Sequence, residues 1–280
     1  MNGNPATASE IELIRPDFDP SNYRAALFDF DGTLSLLRRN WQDVMIPMMV
    51  DILAETGTSE SRSELSVHVE DFVMRLNGRQ TIYQMMQLAE EVTNRGGKAL
   101  EPLAYKHQYH DLLWQQVGGR VESVRSGAVP AEQMTVPGCR AFLERLRNAG
   151  MVLYLASGTD IGYVRSELDV LELDEFFDEH VYGALDDYKK FSKSMIIQRM
   201  ISDMQIPGEQ LLGFGDGFVE IEEVKKVGGV AIGVASNEVE RRGINSWKRE
   251  RLIQAGADII IGDYTSSDAL LTLLGVTGTA

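Results

Sequence analysis

The apolar positions follow two regimes along the chain. At residues 25–28 four of them run together as Ala-Ala-Leu-Phe, bounded by a turn at Asp31-Gly32, which predicts a short buried strand. From Trp41 to about Gly119 the spacing changes to that of helices. Met45, Met48, Met49, Ile52 and Leu53 mark one apolar face, and Leu65, Val69, Phe72, Val73 and Leu76 a second. Ile82, Met85, Met86 and Ala89 mark a third, and Leu103, Tyr105, Tyr109, Leu112 and Leu113 a fourth. Gly57, Asn77-Gly78 and Gly96-Gly97 separate them, as breakers do. The methionines in this block read as adaptable core filler.

From Val136 onward, strand and helix patterns alternate. Helices are predicted at 140–148, 161–171 and 194–204, and strands at 152–156, 180–182, 211–214, 230–234 and 259–261. Alternation of this kind predicts an α/β fold, a parallel sheet with helices on both faces. The helical block interrupts that sheet just after its first strand, where it would sit as a lid. The expected division is a catalytic core of residues 18–34 and 136–280 with an α-helical cap at 35–135. Residues 1–20 contain Ile11-Glu12-Leu13-Ile14, a loose strand or a disordered leader, to which no function is assigned.

Composition narrows the partners. The 280 residues are 44% hydrophobic with a formal net charge of −15, a surface that argues against nucleic-acid or acidic-membrane partners. A local cation can still reverse the potential inside one cleft. A single cysteine, Cys139, rules out an internal disulfide, and nothing points to an oxidising compartment. No apolar run approaches the roughly 20 residues of a membrane span, and the N-terminus lacks a signal pattern. A cytoplasmic protein is expected.

The candidate chemistry gathers at strand ends. Asp29 and Asp31 follow the first strand in Asp-Phe-Asp-Gly-Thr. Two carboxylates at the carboxyl end of a buried strand are costly without a cation. Ala156-Ser157-Gly158-Thr159-Asp160 follows the next strand. There a hydroxyl and the free amides of a helix start make an anion site, or simply an N-cap. Tyr188-Lys189-Lys190-Phe191-Ser192-Lys193 precedes a helix and offers lysines that can reach a phosphoryl oxygen or pair with Asp29. Gly213-Phe214-Gly215-Asp216-Gly217-Phe218-Val219-Glu220 ends another strand on a carboxylate, with Glu220 one helical turn after Asp216.

The string 29–33, together with these three later segments in order, resembles the haloacid dehalogenase superfamily, most of whose members are magnesium-dependent phosphatases. The resemblance covers residues 24–34 and 136 to about 263, and implies a Rossmann-like core with an α-helical cap at the first insertion point. It implies Asp29 as nucleophile and Asp31 as general acid and base. It implies Ser157, Gly158 and a lysine at the phosphoryl group, with Lys193 favoured and Lys190 the runner-up. Magnesium would lie between Asp29, the Asp31 carbonyl and Asp216. The final acid of the family's last motif is replaced here by Glu220 or Glu223. Dehalogenases lack an acid at the place of Asp31, so the resemblance points to the phosphatase branch. The implied partner is a small phosphorylated metabolite, such as a sugar phosphate. The rival readings are a phosphomutase of the same superfamily and a non-catalytic sugar-phosphate-binding regulatory protein.

In similar caps the loop between the second and third helices selects the leaving group. Here it is Asn77-Gly78-Arg79-Gln80, and Arg79 is a bidentate donor suited to carboxylate or phosphate. Arg38, Arg39, Asn40 and Trp41 follow the catalytic turn as a flap or hinge. The remaining candidates read as bland. His107 and His110 lack a placed acid and are expected at the surface, and Cys139 is expected to be packed. Arg241-Arg242 and Lys248-Arg249-Glu250-Arg251 are expected to be solvated charge.

Overall fold

The computed structural model describes residues 11–16 and 23–276. Its sheet has seven strands: β1 (Ile11–Leu13), β2 (Ala25–Phe28), β3 (Val152–Asp160), β4 (Val181–Ala184), β5 (Leu211–Gly215), β6 (Val230–Val234) and β7 (Ile259–Ile261), in the spatial order β1-β7-β6-β5-β2-β3-β4. All pairings are parallel except the antiparallel edge of β1 on β7. Residues 11–13 are therefore a strand. The rest of the N-terminal leader, 1–10 and 17–22, and with it the expected core boundary at residue 18, lies outside the described residues.

The α/β architecture expected from the alternation is present. The helices are α1 (Gln42–Ala54), α2 (Arg62–Arg75), α3 (Thr81–Asn94) and α4 (Pro102–Arg125), all between β2 and β3, then α5 (Cys139–Asn148), α6 (Ile161–Val170), α7 (Lys193–Met204), α8 (Phe218–Lys226), α9 (Ser246–Ala255) and α10 (Ser267–Leu273). Helix starts follow local chemistry. Ser61 and Glu64 form a reciprocal capping box on α2, Pro102 opens α4, and the Ser192 hydroxyl accepts from the Met195 N–H at the start of α7. Each satisfies or removes an orphan donor of the first turn.

Strand β2 lies between β3 and β5, and its four residues are buried. Its alternate side chains feed two cores, as the two-residue strand period requires. Phe28 stacks on Phe214 with centroids 4.5 Å apart, and joins Phe142 of α5 and residues of α6, α10 and the inserted helices. Ala25 and Leu27 face the other side, against Ile196 and Met200 of α7, Ile221 of α8 and Leu252 of α9. Helices therefore cover both faces, and the carboxyl ends of β2, β3, β5 and β6 open toward the inserted block.

Strand β3 runs longer than the sequence pattern predicts. It continues through Ser157-Gly158-Thr159-Asp160, with a register shift against β4 between Ser157 and Asp160. The following helix starts only at Ile161, so of the two readings left open for Ser157, anion site or N-cap, the N-cap falls away. The Ser157 hydroxyl instead accepts from the Thr159 N–H at 3.0 Å.

Candidate active site

Buried β2 aims the chain at a cleft. Asp29 follows directly and is buried, and Asp31 comes two residues later at the start of a turn held by hydrogen bonds onto the Phe30 carbonyl. Gly32 has φ +73°, and a Cβ there would lie 2.3 Å from Asp216 Oδ2. The turn is thus available only to glycine, both for its backbone and for the approach of Asp216. Asp29, Asp31, Ser157, Gly158, Lys193 and Asp216 line one cavity of about 90 Å³ beneath the inserted helices.

Lys193 carries the central contacts. Its Nζ is 2.9 Å from Asp29 Oδ1 and donates to Glu220 Oε2 at 2.7 Å. It faces inward because it begins α7 behind the Ser192 cap. Lys190, the alternative three residues earlier, is exposed and pairs with Asp187 at 3.1 Å, so the expectation that it lines the phosphate site is corrected. Glu220 spends its other oxygen on the Gly217 N–H at 2.9 Å. Glu223 accepts from Lys226 at 2.6 Å, whereas it is Glu220 that holds Lys193 and brings an oxygen to those of Asp29 and Asp216, which removes Glu223 as the alternative.

Asp31 is held differently. Its Oδ2 accepts from the Thr159 hydroxyl at 2.8 Å. Its Oδ1 is buried without a hydrogen-bond partner and lies 3.8 Å from Arg38 Nε. Arg38 in turn makes a bidentate pair with Glu167 of α6, Nε donating to Oε2 at 3.2 Å and Nη2 to Oε1 at 2.6 Å. Burial pushes the Asp31 carboxyl up to about 6, against the pull of Arg38. Burial likewise raises Asp29 well above the ordinary carboxyl range, against Lys193, and raises Asp216 against Lys248. Burial alone would lower Lys193, but Asp29 and Glu220 outweigh it and its pKa is raised.

Several buried carboxylates around one cleft are costly unless a cation joins them. One oxygen from each of Asp29, Asp216 and Glu220 lies within 4.8 Å of the others, a spacing that one cation can bridge. The all-oxygen donors and the orphaned Asp31 Oδ1 suit a hard divalent ion.

The inserted helices supply the other wall. Trp41, Met45, Asn77, Gly78, Arg79, Thr81, Gln84 and Tyr109 line it. The 77–80 loop sits close on the core. A Cβ on Gly217 would come 2.9 Å from Gly78 Cα, and the Gln80 side chain donates to the Phe191 carbonyl at 2.8 Å. Arg79 is exposed, with its guanidinium 5.8 Å from the Tyr83 ring centroid.

Several expectations of blandness are corrected. His107 is exposed, but His110 is buried, with Nδ1 3.4 Å from Asp160 Oδ2. Burial lowers His110 to about 3, so it is neutral. Lys106 beside it pairs with Asp160, a contact between the inserted block and the start of α6. Arg241 donates to the Glu132 carbonyl at 2.7 Å. Arg251 donates to the Met74, Arg75 and Asn77 carbonyls, the last two at 2.9 and 3.3 Å. Lys248 is buried, with Nζ 2.8 Å from Asp216 Oδ2 and 2.7 Å from Glu238 Oε1. Cys139 is buried as expected, and burial pushes its thiol up to about 11.

Thr159, Glu167, Glu238 and Lys248 are site residues that the pattern did not single out. One signal was available for Glu238 and Lys248. They lie in the segment after β6, and the carboxyl ends of parallel strands are where such sheets bind ligands.

No curated protein matches the chain. Among solved structures, a predicted phosphoglycolate phosphatase from Haemophilus somnus 129pt is 15% identical with a TM-score of 0.55, over 89% of this chain and 98% of that one. A predicted phosphatase from Clostridium acetobutylicum is 18% identical with a TM-score of 0.57, over 90% and 99%. A β-phosphoglucomutase from Clostridium difficile is 13% identical with a TM-score of 0.59, over 90% and 97%. At these identities the likeness is one of fold. The family model for haloacid dehalogenase-like hydrolases matches residues 23–228, a span that holds all four strand-end segments and the helices inserted between the first two. With that match over well over half of its length, the chain belongs to the haloacid dehalogenase-like hydrolases.

Proposed function

We propose that this hydrolase is a magnesium-dependent phosphatase acting on a small phosphorylated metabolite through an aspartyl-phosphate. The observation that carries the reading is the arrangement of Asp29 at the end of the central strand. It is buried, held by Lys193 at 2.9 Å, and followed two residues later by a second carboxyl raised to about 6.

Asp29 attacks phosphorus, and the bond to the leaving-group oxygen breaks. Protonated Asp31 delivers its proton to that oxygen. The ionised Asp31 then takes a proton from water, which attacks the acyl phosphate, releases phosphate and restores Asp29. Thr159 holds Asp31 through both steps, at 2.8 Å from Oδ2. Lys193, the Gly158 amide and the Ser157 hydroxyl hold phosphoryl oxygens. Asp29, the Asp31 carbonyl and Asp216 would hold magnesium, which would supply positive charge between nucleophile and anionic substrate. Glu220 holds Lys193 with one oxygen and the Gly217 N–H with the other, and its carboxylate would stand beside Asp29 and Asp216 around the cation. Arg79, Asn77 and Trp41 contact the leaving group, and the cavity of about 90 Å³ suits a small one.

The test is phosphate release from a panel of sugar phosphates, phosphoglycolate and amino-acid phosphates, with magnesium and with excess chelator. Release that requires magnesium supports the reading, and full activity in chelator overturns it. Transfer of phosphate to a second sugar in place of water would identify a phosphomutase.

A further inference from the structure

We propose that Lys248 is a positioning residue of the cation centre, fixing the orientation of the Asp216 carboxylate and tying it to the nucleophile turn. The inference rests on the metal-dependent reading above and adds to it a residue that lies outside all four strand-end segments.

Lys248 comes from the first turn of α9, whose Asn245 cap accepts from the Lys248 N–H at 3.0 Å. The cap points the side chain into the core, where it is 8% exposed. An ammonium has three donors, and here three acceptors surround it. They are Asp216 Oδ2 at 2.8 Å, Glu238 Oε1 at 2.7 Å and Ser236 Oγ at 3.2 Å. Ser236 Oγ in turn donates to the Gly32 carbonyl at 2.5 Å. One side chain thus joins the acid at the end of β5, the loop after β6 and the turn that carries Asp31.

Two effects of such a lysine oppose each other. Its charge repels a cation, whereas its hydrogen bond pins the carboxylate, because fixing one oxygen fixes the direction of the other. Glu238 decides between them. Its carboxylate sits as close to the ammonium as Asp216 does and lines the same cavity. The net charge brought by the pair is near zero, and the directional hold remains. Partners that orient a metal-binding side chain in this way typically account for 10- to 100-fold in affinity.

The experiment measures magnesium binding by calorimetry, without substrate, for the wild type, Lys248→Met and Lys248→Gln. Methionine keeps length and removes both charge and donors, whereas glutamine removes the charge and keeps a donor. The expected result is a Kd raised roughly 10- to 100-fold in Lys248→Met and kept within about threefold of wild type in Lys248→Gln. Unchanged or tighter binding by both variants overturns the proposal, since charge alone would then explain the lysine. Equal weakening in both also overturns it. If Lys248→Met does not fold, Lys248→Ala, which also removes both charge and donors, takes its place beside Lys248→Gln, with the same expected and overturning results. A wild type that binds no magnesium overturns the metal-dependent reading itself, which separates that failure from one confined to Lys248.

Discussion

The two walls of the cleft are built on different principles. On the sheet side, Asp29, Lys193, Glu220, Asp216 and Lys248 are buried or nearly so, and each is held by at least one ion pair or hydrogen bond within 3 Å. On the helical side, Trp41, Asn77 and Gly78 are half-buried and Arg79 is exposed. Buried charges must be paired to be tolerated, so the sheet wall is rigid by necessity and preorganised for one chemistry. On the helical wall Met45, Gln84 and Tyr109 are buried as well, and it is the exposed Arg79 that can vary without endangering the core. On the proposed reading, bond breaking belongs to the sheet wall and selection to the helical one.

The strongest test of that contrast is Asp29→Asn. An amide is a poor nucleophile, so turnover of every substrate, aryl or metabolite, should fall to the assay background. Residual turnover of either class would break the assignment of all bond making to the sheet wall.

Asp31→Asn should cost on the order of 10²- to 10⁴-fold in steady-state rate, and unequally between steps. With p-nitrophenyl phosphate the leaving group needs no proton, so rapid-quench measurement should show a nitrophenol burst near one per enzyme, followed by a stall. Nitrophenol and phosphate appearing together without a burst would mean that Asp31 is not the base for water.

The cation comes next. Burial raises Asp29 and Asp216, and raises Asp31 to about 6. Falling pH therefore gives these carboxyls protons that compete with a cation. Apparent magnesium affinity should weaken as falling pH protonates the raised Asp29 and Asp216 carboxyls, by roughly tenfold per pH unit for each proton released. Calorimetry in buffers of different ionisation enthalpy would show that release, and affinity flat across the range would contradict it.

The smallest effect belongs to the helical wall. Arg79→Ala should lower kcat/KM for the metabolite by roughly tenfold, the worth of one exposed charge-assisted hydrogen bond, and leave p-nitrophenyl phosphate turnover nearly unchanged. Equal losses on both substrates would erase the difference between the walls.

Much of the sheet wall was legible in the residues because its logic is local. A four-residue apolar run followed by Asp29-Phe30-Asp31-Gly32 announces a strand and its turn, and the same holds for 211–216. The 3.6-residue spacing between 41 and 119 likewise announces the helices inserted there. The choice between Lys190 and Lys193 was less legible. It depends on where α7 begins, and the Ser192 cap that sets this start is a single hydroxyl in a polar stretch.

What the sequence determined by itself, then, was the alternation that makes a parallel sheet, the position of the helical insertion and the acids at the strand ends. Hydrophobic period and turn chemistry are properties of neighbours in the chain. Only the tertiary structure decided that β3 runs on to Asp160, that His110 is buried against that residue, that Lys248 is buried against Asp216, and that Arg251 bonds the carbonyls leading into the 77–80 loop. A lysine in a charged run looks the same whether it ends in water or against Asp216, 32 positions earlier in the sequence. Its burial is stabilised by partners that folding brings from two other segments, and no local pattern carries that information.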